Sequence, residues 1–242
     1  MTEAYDPSQF PPFAVTVDLA VFTLRSGRLH VLLIERGEEP FLGRLALPGG
    51  FLRPDEDAGQ AARRELTEET GLALGSPYHL EQLRTYSGVA RDPRMRVVTV
   101  AYVAFAPDLP DPVAAADARA ARWVDLAEAQ AAHLAFDHGQ ILDDAVERVR
   151  AKLEYTTIAT RFLPRQFAIG QLRAVYQAVW GEAVELQNFR RKVLSVPGFI
   201  EPVGQVRTGV PGPPARLYKA GPATAIDPPF SRARAPEPRK RP

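Results

Sequence analysis

The chain reads as an α/β protein: a sandwich of mixed strands and helices followed by a small winged-helix-like module. Three observations carry this. Strand-like and helix-like segments mix without strict alternation over roughly the first 155 residues, which favours a sandwich over a doubly wound sheet. After Tyr155, two helical segments precede two strand-like ones set around a Gly/Pro-rich loop. The charge divides near the same place. The 242 residues carry a net +1, but from Arg161 onward there are 14 Lys/Arg against 5 Asp/Glu, and before it 16 against 24. An acidic front half suits a metal site and a basic back half suits a polyanion, although a solvated basic surface gives the same balance.

Taken in order, residues 1–12 form an acidic, polar arm without the basic start and apolar stretch of a signal peptide. Phe13–Leu24 is rich in β-branched and aromatic residues and reads as a strand. Leu29–Ile34 makes a second after a turn at Ser26-Gly27. Leu47-Pro48-Gly49-Gly50 breaks the pattern and opens a loop. Residues 57–70, rich in Ala, Glu and Arg, read as a helix that Gly71 ends. His79–Ser87, Met95–Phe105 and the short Arg122–Val124 read as strands, with a Pro-rich loop at Asp108–Ala116. Asp137 is the expected N-cap of a helix running to about Leu153. In the back half, Gln171–Trp180 and Leu186–Leu194 read as helices, and Ile200–Val206 and Ala215–Tyr218 as strands. The last stretch, Gly221–Pro242, has six prolines and five Lys/Arg and reads as disordered. The expected domains are therefore an arm at 1–12, the sandwich at 13–154, the winged module at 155–220 and a tail at 221–242.

With no cysteine, disulfides and thiolate metal sites are excluded, in keeping with a reducing cytoplasm. The longest apolar run, near Val97–Ala106, is interrupted by Thr99 and Tyr102 and is too short to cross a bilayer. A cytoplasmic protein with no membrane partner is expected.

Gly50–Leu72 reads GFLRPDEDAGQAARRELTEETGL. Glu65, Glu68 and Glu69 stand at i, i+3 and i+4, within an arc of about 100° on one helix face. Three carboxylates so placed repel one another unless cations occupy the space. Hard oxygen donors without His or Cys favour Mg²⁺ or Mn²⁺. Ala58, Ala62 and Leu66 form a stripe that can pack on a sheet. Arg64 can pair with Glu56 or orient Glu65. Gly49 and Gly50 let the backbone approach a ligand closely. Clustered divalent ions of this kind neutralise phosphate oxygens and activate water. A base from a later loop is not evident: Asp108, Asp111 and Asp117 read as ordinary loop residues.

The spacing of Gly50, Glu56, Arg64-Glu65-Leu66, Glu68-Glu69 and Gly71-Leu72 resembles the complete Nudix signature, with nine specified positions in 23 residues. The resemblance implies an α/β/α sandwich over roughly residues 10–150. It also implies catalytic roles around Glu56, Arg64, Glu65, Glu68 and Glu69, and metal ligands at Glu65, Glu68, Glu69 and the Gly50 carbonyl.

Arg91-Asp92-Pro93-Arg94, with Arg96, sits just before a strand. Its guanidinium groups can clamp a diphosphate, or the segment is a plain turn with solvated arginines. It is similar to a segment in Nudix proteins that handle ADP-ribose, which favours ligand contact at Arg91, Asp92 and Arg94. Asn188-Phe189-Arg190-Arg191-Lys192 lies on the second back-half helix. Phe189 and Val193 face the core, and Asn188, Arg190, Arg191 and Lys192 fan outward as DNA contacts, with Arg207 opening the wing loop Arg207–Pro214. A solvated basic helix in a protein–protein module is the alternative. From about Phe13 to Tyr218 the chain resembles the Nudix-related transcriptional regulators of NAD metabolism, the NrtR type. That implies a homodimer that senses ADP-ribose and binds double-stranded operator DNA. His138, beside Asp137, reads as a helix-start residue. Every carboxylate of the signature is present, so the sequence permits a rival: a Mg²⁺-dependent ADP-ribose pyrophosphatase, alone or combined with regulation.

Overall fold

The computed structural model describes residue 6 and residues 9–72, 78–107, 109–113, 118–207 and 215–232. Its centre is β1 (Ala14–Arg25), whose residues alternate between two covered faces. Val17, Leu19 and Val21 pack on Ala61, Ala62 and Leu66 of α1 (Ala58–Thr70). Ala20 and Phe22 belong to the opposite core with Ile141, Leu142 and Ala145 of α3 (His138–Tyr155). Burial on both sides explains why the strand is apolar almost throughout. The sheet runs β3 (Leu45–Ala46), β2 (Arg28–Arg36), β1, β6 (Val97–Phe105) and β5 (His79–Tyr86). In addition β4 (Gly49–Phe51) pairs with β1 and β7 (Ala118–Asp125) with β2. Among the described residues of this sheet only the β1–β6 pairing is parallel. A mixed sheet between α1 and α3 is the α/β/α sandwich expected. The short α2 (Leu126–Ala131), β3 and β4 were not expected.

Helix α1 is closed at both ends by local chemistry. Asp57 accepts from the Gln60 backbone N–H, and the Gln60 side chain accepts from the Asp57 N–H, each at 2.8 Å. Gly71 takes φ 67°, the left-handed cap that a glycine tolerates. Helix α3 differs from expectation at its start. Asp137 makes no side-chain capping bond; its carboxylate turns to Arg91 instead.

Glu81 on β5 ties that edge strand to α3. It meets Lys152 at 2.7 Å, His79 at 3.0 Å and Arg148 at 3.4 Å. Burial pushes its pKa up, but His79 and Lys152 outweigh burial and bring it to about 2. A depressed carboxylate stabilises the fold above its unfolded pKa, and that stability is lost as pH falls through the folded value. Glu81→Gln is thus expected to cost about 1.5–3 kcal/mol at pH 7. In urea titrations the difference from wild type should shrink between the ordinary carboxylate range and pH 2. A gap independent of pH over that window would remove the ion-pair account.

The second module contains β8 (Phe167–Ala168), α4 (Ile169–Trp180), α5 (Leu186–Ser195), β9 (Ile200–Arg207) and β10 (Ala215–Ala220), with sheet order β8-β10-β9. Two helices and a hairpin on one small sheet make the winged helix. A 3₁₀ helix, Thr157–Phe162, joins the halves. Phe162 stacks on Phe105 of β6 with ring centres 4.2 Å apart. Arg150 of α3 donates to the Val179 carbonyl at 2.9 Å, and the Trp180 indole donates back to the Arg150 carbonyl at 3.1 Å. One apolar cluster runs from the sheet through α3 into α4 and α5.

The tail departs from expectation. Residues 221–232, expected to be disordered, form a strap across α3 and α5, while 233–242 lie outside the described residues. Ile226 and Phe230 donate backbone N–H groups to the Tyr155 and Glu154 carbonyls at 2.8 and 2.7 Å. Both side chains are buried, Phe230 against Tyr176, Phe189 and Phe199. Arg232 pairs with Glu147 and Glu154 of α3. Two isolated apolar residues in a Pro/Arg-rich stretch are a weak composition signal, yet they suffice once a groove awaits them. Among the described residues no helix is long and apolar enough to cross a membrane.

Candidate functional site

The Nudix-like helix presents its carboxylates where the loop before it folds back. Arg64 is the hub of that face. Its guanidinium holds Glu56 in a two-pronged pair, and donates to Glu65 at 2.6 Å and Glu68 at 2.8 Å. Glu69 accepts from the Gly49 N–H at 2.8 Å. Both expected partners of Arg64, Glu56 and Glu65, are therefore found. The glycines have a reason beyond approach to a ligand. A Cβ at Gly49 would collide with the Val17 carbonyl, and one at Gly50 with the Glu65 carboxylate.

The electrostatics of the face are uneven. Hydrogen bonds from Arg64 hold Glu56 down at about 2, and Arg64 and Arg53 lower Glu68. Burial raises Glu65, and burial together with Glu65 and Asp18 lifts Glu69 to about 8. The face is short of positive charge despite Arg64. Among the described residues no three carboxylate or imidazole groups already converge on one point. The donor set nevertheless suits a hard divalent ion: oxygen ligands only, on one helix face, two of them with raised pKa.

Gly49, Gly50, Arg64, Glu65, Glu68 and Glu69 line a cleft of about 540 Å³ that also takes in Asp18, Arg36, Phe51, Arg91, Asp92, Arg94 and Phe136. Arg91, expected as a phosphate clamp, is largely committed elsewhere. Its side chain is 5 % exposed and bridges Asp137 at 2.7 Å and Asp18 at 3.1 Å. His138 completes this strut. Its Nδ1 accepts from the Leu47 N–H at 2.9 Å, which leaves the proton on Nε2, 3.4 Å from Asp18. Burial works to raise the Asp18 pKa, but His138 and then Arg91 outweigh it and hold it low. His138 is indeed the first residue of its helix. Arg94 is half-exposed and pairs with the buried Asp92 at 2.8 Å.

Sequence reasoning missed Arg36, Phe136 and Asp18. Arg36 ends β2 and donates to the carbonyls of Pro40 and Glu38. Among the described residues no carboxylate pairs with it, and it lines the cleft. Phe136 holds φ 52°, a left-handed backbone that costs a bulky residue about 1–3 kcal/mol. Asp18 did leave a signal: it is the single charge inside an apolar strand. Asp111 pairs with Arg25 at 2.7 Å outside the cleft lining. Asp108 and Asp117 lie outside the described residues.

On α5, Phe189 and Val193 are buried as expected, and Asn188, Arg190 and Arg191 are exposed. Glu185 caps the helix through the Gln187 and Asn188 N–H groups, and Arg191 donates to Asn188 at 2.7 Å. Lys192 does not fan outward: it donates to the Pro228 carbonyl and lies over Phe230. The β-strand carries the Arg207 backbone, but its side chain and residues 208–214 of the wing loop lie outside the described residues.

An acidic Nudix-type helix on an α/β/α sandwich, followed by a winged helix with an exposed basic helix, defines a two-domain Nudix protein. Residues 13–145 match the NUDIX domain, whose pyrophosphatases generally use a divalent metal, and residues 159–220 match the NrtR DNA-binding winged helix domain. The ADPR responsive transcriptional repressor NtrR of Acinetobacter baylyi is 35 % identical over 217 residues, 89 % of this chain and 85 % of that protein. NrtR of Shewanella oneidensis, in a crystal structure complexed with a 27mer DNA, superposes with a TM-score of 0.72 at 32 % identity, over 86 % of this chain and 94 % of that one. The NUDIX domain of the same protein complexed with ADP ribose matches at TM-score 0.55 and 38 % identity, over 62 % of this chain and 99 % of that one. The chain belongs to the NrtR family of Nudix-related transcriptional regulators.

Proposed function

We propose that this protein is a cytoplasmic, ADP-ribose-responsive repressor that binds double-stranded DNA as a homodimer and releases it when ADP-ribose fills the Nudix cleft. One observation carries the reading: α3 begins at the cleft, with Asp137 and His138 in the Arg91–Asp18 strut, and ends packed on α4 of the winged module. A ligand that favours one setting of the strut therefore favours one setting of the winged helix. Glu65, Glu68, Glu69 and the Gly50 carbonyl would hold Mg²⁺ or Mn²⁺. When bound, such an ion neutralises the ligand diphosphate, and in a hydrolase it also activates water. Arg190 and Arg191 take DNA, with Asn188 at the helix start and Arg207 at the wing. The relatives support this reading: one is a repressor responsive to ADP-ribose and another was crystallised on DNA.

The second reading, an ADP-ribose pyrophosphatase, is favoured by the complete Nudix signature. One experiment separates the two. Binding of the full chain to duplex DNA from upstream of its own gene is followed with and without ADP-ribose and Mg²⁺, while AMP and ribose 5-phosphate are assayed. A repressor should lose DNA affinity roughly 5- to 150-fold on adding ADP-ribose. DNA affinity indifferent to ADP-ribose, with turnover abolished by Glu69→Gln, would make the protein an enzyme instead.

A further inference from the structure

A second cavity, of about 710 Å³, opens at the seam between the two domains. It shares no lining residue with the Nudix cleft. His79 of β5 reaches it from the Nudix side, Arg161 from the 3₁₀ helix, and Lys219 of β10 and Thr224 of the strap from the winged side. Its lining carries Arg161, Arg165 and Lys219 and no carboxylate. Lys219 meets Glu201 at 3.1 Å and His79 meets Glu81 at 3.0 Å, but neither glutamate lines the cavity. Among the described residues no carboxylate pairs with Arg161 or Arg165. Three lining threonines spend their hydroxyls on backbone carbonyls, whereas that of Thr224 has no acceptor among the described residues. Leu163 and Phe167, both buried, give the cavity an apolar side.

Small-molecule sites occupy roughly 300–1,000 Å³, favour domain interfaces, and combine apolar walls with a few placed polar groups. Guanidiniums without a carboxylate suit phosphate oxygens in particular. The cavity lies at the root of the hairpin and not at the wing: Ala215 pairs with Arg207 beside the wing loop, while Ala220, in the lining, pairs with Ile200. That placement disfavours the DNA backbone as the occupant. We propose that this seam is a second effector site, which takes a small phosphorylated metabolite on Arg161, Arg165 and Lys219 and alters DNA affinity without the Nudix cleft. A ligand gripped from both domains favours one setting of the winged module over others, and DNA affinity follows that setting.

Calorimetric titration of the full chain with inorganic pyrophosphate, in EDTA and without ADP-ribose, tests it independently of the ligand reading above. Wild type should bind saturably. Arg161→Ala combined with Arg165→Ala should weaken binding at least about 10-fold, since each loses a charge-assisted contact. Both side chains are exposed, so the double variant should melt as wild type does. Arg161→Lys with Arg165→Lys, which keeps the charge, should bind more tightly than the alanine pair. Pyrophosphate should also shift wild-type affinity for duplex DNA from upstream of the gene by about 5-fold or more, and leave that of the alanine pair unmoved. Absence of binding in wild type, or equal binding in the alanine pair, overturns the site. Binding that leaves DNA affinity unchanged overturns its effector role. If the alanine pair loses DNA affinity without pyrophosphate, and its salt dependence becomes shallower, the two arginines hold DNA phosphates and the metabolite site is overturned.

Discussion

Arg91→Ala is expected to destabilise the folded protein by about 3–5 kcal/mol, the cost of stripping the partner from buried charges. Without the guanidinium, Asp18 and Asp137 remain at the base of the cleft, and Asp18 is almost wholly buried. Asp18 would retain His138, at 3.4 Å, and Thr99, and the start of α3 would lose the Arg91 bridge that reinforces its contact with β1. Urea unfolding at pH 7 reads the effect directly. Arg84→Ala is the control: its side chain is 61 % exposed and its partner Asp144 keeps Tyr86, so its loss should cost well under half as much stability. If Arg91→Ala unfolds at the wild-type midpoint but no longer binds ADP-ribose, Arg91 is a ligand clamp and the strut is a misreading.

The second large effect is on DNA. Arg190→Ala combined with Arg191→Ala should reduce affinity for operator DNA roughly 10²- to 10⁴-fold, since each contact carries about 1–3 kcal/mol. The slope of log affinity against log salt should become shallower by about 2 if both residues meet phosphates. Both side chains are exposed and neither belongs to the core, so thermal stability should hold. Lys192→Ala should behave in the opposite way. Its ammonium is held by the Pro228 carbonyl and the Phe230 ring, so stability should fall more than affinity. Unchanged DNA affinity in the double variant would move the recognition surface off α5.

The contrast between those lysine and arginine roles marks where sequence reading stops. Local signals located the elements: the β-branched and aromatic residues of β1, the Gly71 cap, and the three glutamates on one turn of α1 are written in short windows. Contacts between distant segments were not. Arg91 and Arg94 look alike in sequence, three residues apart, yet one meets carboxylates 73 and 46 residues away and the other meets its neighbour Asp92. Asp137 has the chemistry of a helix cap and is drawn off by that same arginine. Arg36 lies beyond the reach of any motif, because its place in the cleft lining comes from the fold and, among the described residues, no carboxylate pairs with it. Phe136 is a similar case: nothing in its neighbours announces a left-handed backbone.

The strap has a consequence for inheritance. The winged module is closed not by its own last strand but by residues that follow it, whose Phe230 fills the space between α4 and α5 while Arg232 grips α3. The seam near Tyr155 is therefore not where the chain can be cut and rejoined. A recombinant that takes its winged module from one relative and its Nudix domain from another would bring together a strap and an α3 selected in different company. Glu147 and Glu154 have to travel with Arg232. For this chain the unit of exchange is the whole molecule, and new DNA specificities are expected to arise by substitution on the exposed side of α5 rather than by shuffling of halves.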